Sequence, residues 1–354
     1  MTVGRDGREL GAPLPAHRID VAALAKYLGT RLPGFGDSCT VQQFRGGQSN
    51  PTYLVESRGR AYVLRKKPPG ELLPSAHAVD REYRVISALA GSAVPVPATQ
   101  LLCSDETVIG QMFYLMDYVP GRVIADPRLP GCTPAERSAL YESMISALGH
   151  LHAIDYTAIG LADFGRPSAY VARQVARWSQ QYQASQLDDV DAMDQLIEWL
   201  PKLNPGDDLA TIVHGDFRPG NVIFAADETR VSAVLDWELA TIGHPLADLA
   251  YFLMPYRLDS IGTTSGLKSV ELPSLGIPSE RALLECYARS AGLSAVPDIE
   301  FHLAFAMFRL AAILAGVLRR GVDGNAADPH AIATGQAFKQ IANSGWQILQ
   351  RLAG

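Results

Sequence analysis

The stretch that most constrains this 354-residue chain runs from His214 to Glu238, HGDFRPGNVIFAADETRVSAVLDWE. It carries a carboxylate, Asp216, and an amide, Asn221, followed by a short apolar run, Val222, Ile223 and Phe224. After a polar turn, a second apolar run from Val231 to Leu235 ends in Asp236 and Glu238. Two short apolar runs around a polar turn read as a loop feeding a β-hairpin. The far strand of such a hairpin returns its carboxylates to where the loop ended. One Asp able to accept the proton of a hydroxyl, with an Asn oxygen and a second Asp able to hold a hard cation, suits Mg²⁺-dependent phosphoryl transfer. Taken alone, the same set serves hydrolysis as well as transfer.

The length is enough for two lobes or domains. With 47% apolar and 19% charged residues the chain is globular rather than disordered. The net charge is −6 and the longest basic run is Arg65-Lys66-Lys67, which argues against a nucleic-acid partner. The four cysteines, Cys39, Cys103, Cys132 and Cys286, are scattered, with no C-x-x-C pair. The expectation is therefore free thiols in the cytoplasm, not disulfides or a zinc site. No apolar run follows the start MTVGRDGREL, so no signal peptide is expected. The apolar stretch 301–318 contains His302 and Arg309 and reads as a buried core helix, with no membrane partner.

In chain order, residues 1–18 read as a loose arm. Asp20 caps a helix to Leu28, stopped by Gly29. Strands are expected over 39–44, 52–56 and 61–67, with Arg58-Gly59 as a turn. Between the first two lies Gly46-Gly47-Gln48-Ser49-Asn50. Its glycines allow backbone N–H groups to meet phosphate oxygens, and Ser49 and Asn50 add side-chain donors. A Gly-Gly turn without a ligand is the reading favoured at this point. No Gly-Lys pair exists, so this is no Walker A loop. Strand alternation sends Arg65 and Lys67 to one face and Lys66 to the other. A helix from 75 or 76 to 89 sets Val79, Tyr83, Ile86 and Leu89 on one face with Glu82 beside it. A strand cation paired to a helix carboxylate steers nucleotide phosphates, although a solvated surface charge is the commoner fate of either residue. Strands over 99–103 and 111–118 follow. The second, carrying Met116 and Tyr118, leads into Val119-Pro120-Gly121, read as a hinge whose extended backbone suits the edge of an adenine. The chain thus divides into 1–118 and 119–354.

Beyond the hinge the pattern is helical. Thr133-Pro134-Ala135-Glu136 is a capping box opening a helix to about 154, with His150 and His152 as structural residues near its end. Helices are expected over 168–185, 189–200, 279–292, 298–320 and 330–352, with a short strand at 211–213 and another helix from Gly243. The acidic run Asp188, Asp189, Asp191, Asp194 reads as a solvated helix N-terminus. Arg257, Arg309, Arg319 and Arg320 are candidates to meet an anionic substrate, each weighed against an ordinary ion pair.

Read together, H-G-D-F-R-P-G-N and L-D-W-E, with G-G-Q-S-N, V-L-R, R-E-Y and L-M-D-Y-V-P-G in order before them, resemble the aminoglycoside phosphotransferase and choline kinase superfamily. The stretches G-Q-S-N-P-T-Y, L-R-K-K-P-P-G and L-D-W-E-L-A-T-I-G-H-P-L-A-D-L-A-Y are similar to the kinase-like domain fused to some acyl-CoA dehydrogenases and to its stand-alone bacterial relatives. No dehydrogenase domain is expected after Gly354. The resemblance implies an α+β, two-lobed protein-kinase-like fold, with a small antiparallel-sheet N-lobe and a larger, mainly helical C-lobe. It implies ATP or GTP with Mg²⁺ as cofactors and a hydroxyl of a small molecule, such as a hydroxyacyl-CoA, as acceptor. Asp216 would be the base. Asn221 and Asp236 would hold the metal, with Glu238 through water. Gly46, Gly47, Ser49 and Asn50 would cover the phosphates, and Arg65 with Glu82 would form the strand–helix pair. Met116 and Tyr118 would border the nucleotide, and Asp248 would brace the catalytic loop. Two departures stand out. Arg65 occupies a position where this fold usually has Lys, and Phe217-Arg218 follows Asp216 where His is frequent. A nucleotide-binding pseudokinase and an aminoglycoside-modifying kinase are the alternatives. A protein kinase is ranked lowest, since H-R-D and A-P-E are absent and no D-F-G follows the H-G-D loop. Nothing in the sequence sets the oligomeric state.

Overall fold

The computed structural model describes residues 2–3, 8–45, 50–70, 78–206, 209–262, 264–326 and 329–354. Its strands are β1 (Thr2–Val3), β2 (Glu9–Gly11), β3 (Thr40–Phe44), β4 (Thr52–Ser57), β5 (Arg60–Lys66), β6 (Thr99–Cys103), β7 (Phe113–Asp117), β8 (Thr211–Val213), β9 (Val222–Phe224), β10 (Val231–Val234) and β11 (Thr241–Gly243). Its helices are α1 (Val21–Gly29), α2 (Val79–Leu89), α3 (Pro134–His152), α4 (Tyr170–Ser185), α5 (Asp191–Leu203), α6 (Pro245–Leu253), α7 (Leu272–Leu275), α8 (Glu280–Ala291), α9 (Glu300–Val322), α10 (Ala331–Gln336) and α11 (Phe338–Ala353). The chain forms two compact units, residues 1–123 with 221–240, and residues 124–220 with 241–354. This is the two-lobed α+β class that the sequence leads one to expect.

The first unit is built on a seven-stranded sheet in the order β1-β2-β3-β4-β5-β7-β6, and every neighbouring pair is antiparallel. Side chains alternate along each strand. Tyr53, Val55, Tyr62, Leu64, Phe113 and Leu115 share one core with Leu24 and Leu28 of α1. The next residues in register, Arg65 opposite Tyr114 and Val63 opposite Met116, therefore take the other face, where α2 packs against β6 and β7. Lys66 is buried, and desolvation holds its ammonium below the ordinary range. The α1 helix is capped by the Asp20 carboxylate, which accepts from Ala23 N–H at 2.9 Å. Within the stretch expected to be a loose arm, Glu9–Gly11 joins the sheet, setting Leu10 opposite Phe44 and burying both.

The β9–β10 hairpin also belongs to this unit. Val222 pairs with Val234 and Phe224 with Val231, with a register shift between Val231 and Ala233. Arg122 ties the hairpin down: its N–H donates to Phe224 O at 2.7 Å, and Phe224 N–H donates to Arg122 O at 2.8 Å. Only glycine fits beside this bridge. A Cβ on Gly121 would stand 2.2 Å from Phe224 O and 2.4 Å from Ile223 Cγ2. Gly121→Ala is expected to cost about 2 kcal/mol or more, because a backbone oxygen has to move. A lowered urea midpoint measures this, and an unchanged midpoint means the bridge is not formed in solution.

In the second unit, Thr133 and Glu136 form the expected capping box on α3. The long α9 is the axis on which α4, α6, α10 and α11 pack. It is long and apolar enough to cross a membrane, but 83% of its most apolar window is buried inside the protein. Three further differences from the sequence reading arise here or in the first unit. The helix expected over 330–352 is two helices, divided at Ala337, and Gly335 lies so close to Leu318 that a Cβ there would meet its Cα at 2.6 Å. The α2 helix begins at Val79, and residues 71–77 lie outside the described ones. The strand β11 pairs with β8, Thr241 opposite Val213, and three residues are too few to show alternation in a sequence.

Candidate active site

The hairpin geometry brings Asn221 and Asp236 to one end of β9–β10. Leu235 N–H donates to Asn221 O at 2.8 Å, so the two flanking residues leave the ladder side by side. Asp236 is left-handed, at φ 65° and ψ 59°, a conformation that costs a non-glycine residue energy and that clusters at functional sites. A turn of 3₁₀ helix, Trp237–Leu239, then presents Glu238.

Arg65 lies at the centre of this set. Its Nε stands 3.1 Å from Glu82 Oε2, and its Nη2 donates to Asp236 Oδ1 at 3.1 Å and lies 3.9 Å from Glu238 Oε2. Glu82 is 1% exposed and fully engaged. Asn50 Nδ2 donates to its Oε1 at 2.6 Å, and the Tyr114 hydroxyl donates to its Oε2 at 3.0 Å. Burial pushes the Glu82 carboxyl up. The Arg65 charge opposes this, Asp236 adds to it, and the two donors oppose it. Burial also opposes the charge on Arg65, but Glu82, Tyr114, Asp236 and Glu238 outweigh it and hold the guanidinium above its ordinary range. A lysine point charge could not span Glu82 and Asp236 with two separate nitrogens, whereas the planar fork does. Met116 is buried in β7, and Tyr118 N–H donates to Ala61 O at 3.2 Å. Gly46, Gly47 and Ser49 lie outside the described residues, whereas Asn50 is placed, with its amide on Glu82.

The second unit holds Asp216. Its loop leaves β8 through His214, and Asp248 of α6 anchors it. The Asp248 carboxylate accepts from His214 N–H at 2.5 Å and from Gly215 N–H at 2.8 Å, and lies 3.5 Å from His152 Nε2. Burial favours the neutral acid. The His152 hydrogen bond, the His152 and His214 charges and the Gly215 donor outweigh it, so the Asp248 carboxyl is held below the usual range. His152 is in turn fixed by Tyr287, with Nδ1 and the hydroxyl 2.6 Å apart. Asp216 N–H donates to His214 Nδ1 at 3.2 Å, and Arg218 Nε lies 3.4 Å from Asp216 Oδ2. The loop is thus rigid at its root, and its carboxylate is partly exposed, as a base facing a substrate needs to be.

Arg257 bridges Glu280 and Glu300, at 2.7 and 2.8 Å, and Arg319 pairs with Asp323 at 2.9 Å. These candidates for an anionic substrate are therefore ion-paired within the chain. Arg309 is buried, and its Nη2 donates to Gly215 O. Sequence reasoning missed Tyr114, which the cross-strand register sets opposite Arg65.

The donors at the hairpin end are all oxygens: one amide and two carboxylates. Such a set fits Mg²⁺, which binds through one or two carboxylates and completes its shell with water and phosphates. Among the described residues no group of three or more His, Cys, Asp or Glu could hold a metal by itself.

A model of the phosphotransferase enzyme family matches residues 40–266. Acyl-CoA dehydrogenase family member 11 of Rattus norvegicus is 42% identical over 99% of the chain. The chain spans about half the length of that relative, 45%. The crystal structure of a Ralstonia eutropha JMP134 protein, provisionally described as an aminoglycoside phosphotransferase, superposes with a TM-score of 0.86 at 42% identity, covering 94% of this chain and 99% of that one. A thermostable mutant of aminoglycoside phosphotransferase APH(4)-Ia, in ternary complex with AMP-PNP and hygromycin B, shares the fold alone, with a TM-score of 0.58 at 19% identity over 91% of this chain and 98% of the other.

Proposed function

The chain belongs to the phosphotransferase enzyme family, and we propose that it transfers the γ-phosphoryl group of ATP to a hydroxyl of a small anionic metabolite. Arg65, oriented by Glu82, would bind the nucleotide phosphates. Asn221 and Asp236, with Glu238 in support, would hold the accompanying Mg²⁺, which neutralises phosphate charge when bound. Asp216 would orient the acceptor hydroxyl and take its proton. The observation that carries the reading is the half-buried Arg65, which spans the Glu82 and Asp236 carboxylates at 3.1 Å each. Metal and phosphate chemistry explains why a cation and three acids share one place, whereas a purely structural ion pair needs only one of those acids.

The acceptor we propose is of the hydroxyacyl-CoA type. The name of the rat relative supports acyl-CoA chemistry, and so does the charge of α4. That helix contains no Asp or Glu, and it carries Arg173 and Arg177 on the same stripe as Tyr170. The acidic run 188–194 is engaged elsewhere, with Asp188 paired to Lys339 at 2.8 Å and Asp191 in the first turn of α5. A polycationic aminoglycoside finds no matching acidic helix in α4. The test is nucleotide turnover against a panel of hydroxyacyl-CoAs, amino alcohols and aminoglycosides. Phosphorylated hydroxyacyl-CoA, formed only with Mg²⁺ and lost on chelation, is expected. Product from an aminoglycoside alone overturns the acceptor class, and nucleotide–Mg²⁺ binding with no product from the panel overturns the transfer.

A further inference from the structure

We propose that Arg173 and Arg177 of α4, backed by the buried Arg309 of α9, form an anion subsite that takes a phosphate group of the acceptor, and this rests on reading the acceptor as an acyl-CoA. The three guanidinia share one place in the second unit. Arg173 and Arg177 are four residues apart and so lie on one stripe of α4. Arg173 Nη2 donates to Arg166 O at 2.7 Å, which fixes its guanidinium near the start of the helix. Arg177 Cζ lies 5.4 Å from the centroid of the Trp178 ring, and Arg309 Cζ lies 5.6 Å from the same centroid, where α4 packs on α9. Arg309 Nη2 also donates to Gly215 O, so the cluster adjoins the loop that carries Asp216.

Among the described residues none of the three meets a carboxylate. Their partners are carbonyl oxygens and aromatic faces. Arg257, by contrast, spans Glu280 and Glu300, and Arg319 meets Asp323. Arg309 is 8% exposed, and its Nε has no hydrogen-bond partner among the described residues. A buried cation with two more cations nearby and no counter-charge is costly, and it leaves a positive potential that an anion offsets. The helix adds to that potential. Ala169, the N-cap of α4, is left-handed at φ 50°, and no side chain caps the first turn. The positive end of the helix dipole therefore lies on the same stripe as the two arginines. Arg177 is exposed and Arg173 half-buried, so both are open to a ligand. Planar guanidinium forks match the oxygens of a phosphate group.

The experiment measures binding of two probes to the full chain, with the nucleotide site saturated by AMP-PNP and Mg²⁺. Free CoA is followed by calorimetry and inorganic phosphate by ³¹P line broadening. Arg173→Gln is expected to weaken CoA about tenfold, and the more screened Arg177→Gln about fivefold. Arg289→Gln, an equal change of charge on α8, is expected to leave CoA binding within about twofold. In steady-state kinetics the Arg173→Gln and Arg177→Gln variants should raise the acyl-CoA KM by similar factors, with kcat and the nucleotide KM within about twofold. CoA affinity unmoved by both substitutions overturns the subsite, whatever the activity. Phosphate broadening that depends on Arg173 and Arg177, in a chain that does not bind CoA, supports the anion subsite and overturns the acyl-CoA reading instead.

Discussion

Asp216→Ala is expected to lower kcat for phosphoryl transfer by about 10²–10⁴-fold, with the KM for nucleotide changed by less than about threefold. The size follows from what is removed. Transfer of this kind depends on positioning and charge stabilisation, and on the proposed reading the carboxylate would supply the proton acceptor and the alignment of the incoming hydroxyl. The residues proposed to bind the nucleotide lie in the other unit and are untouched, so affinity for ATP is expected to be spared. Asp216→Asn keeps the volume and a hydrogen-bond acceptor but not the base, and is expected to lose nearly as much kcat. Single-turnover and steady-state measurements on both variants separate chemistry from binding. Turnover within threefold of the parent in both would mean that another group accepts the proton.

The largest expected effect on stability is at Asp248. Its carboxylate is 2% exposed and accepts from two backbone N–H groups, with His152 at 3.5 Å. Asp248→Ala leaves those donors buried without an acceptor, at a cost of about 3–5 kcal/mol in the unit that contains it. Asp248→Asn, which keeps one acceptor oxygen, is expected to lose about half as much. The sign of the pH dependence follows from the lowered carboxyl pKa. Stability from Asp248 is fully present above the unfolded-state value, about 3.9, and is lost as pH falls through the lower folded value. Acid unfolding of the parent should therefore steepen below about pH 4, and Asp248→Asn should flatten that limb. Equal acid limbs in the two proteins would mean that the carboxylate is not ionised in the folded state. Activity should fall with stability in these variants, because the loop that Asp248 ties down carries Asp216.

Local patterns made much of the architecture legible. The hairpin 222–234, the capping box at Thr133 and the strands of the sheet follow from short-range periodicity and capping, which depend on neighbours along the chain. The order Asp216, Asn221, Asp236 could be read for the same reason, since a hairpin fixes where its ends return. The strand–helix pair Arg65–Glu82 needed the resemblance, because nothing local distinguishes a paired arginine from a solvated one. The break at Ala337 and the strand β11 could not be read, because both depend on packing against residues distant in sequence, Leu318 for Gly335 and Val213 for Thr241.

Which candidate carboxylates and amide are available, in what order and on which local elements, was legible along the chain. How each of them is held depends on the fold. Asp248 binds the loop through backbone N–H groups 33 and 34 residues away, and Arg309 reaches Gly215 across 94 residues. The Arg65 guanidinium, at the end of a strand, meets Asp236 across 171 residues. Local sequence encodes dihedral preference and the alternation of polar and apolar faces. Burial, the pairing of charges and the resulting shifts in proton affinity depend on which distant segments share a low-dielectric interior, and only the folded chain sets that.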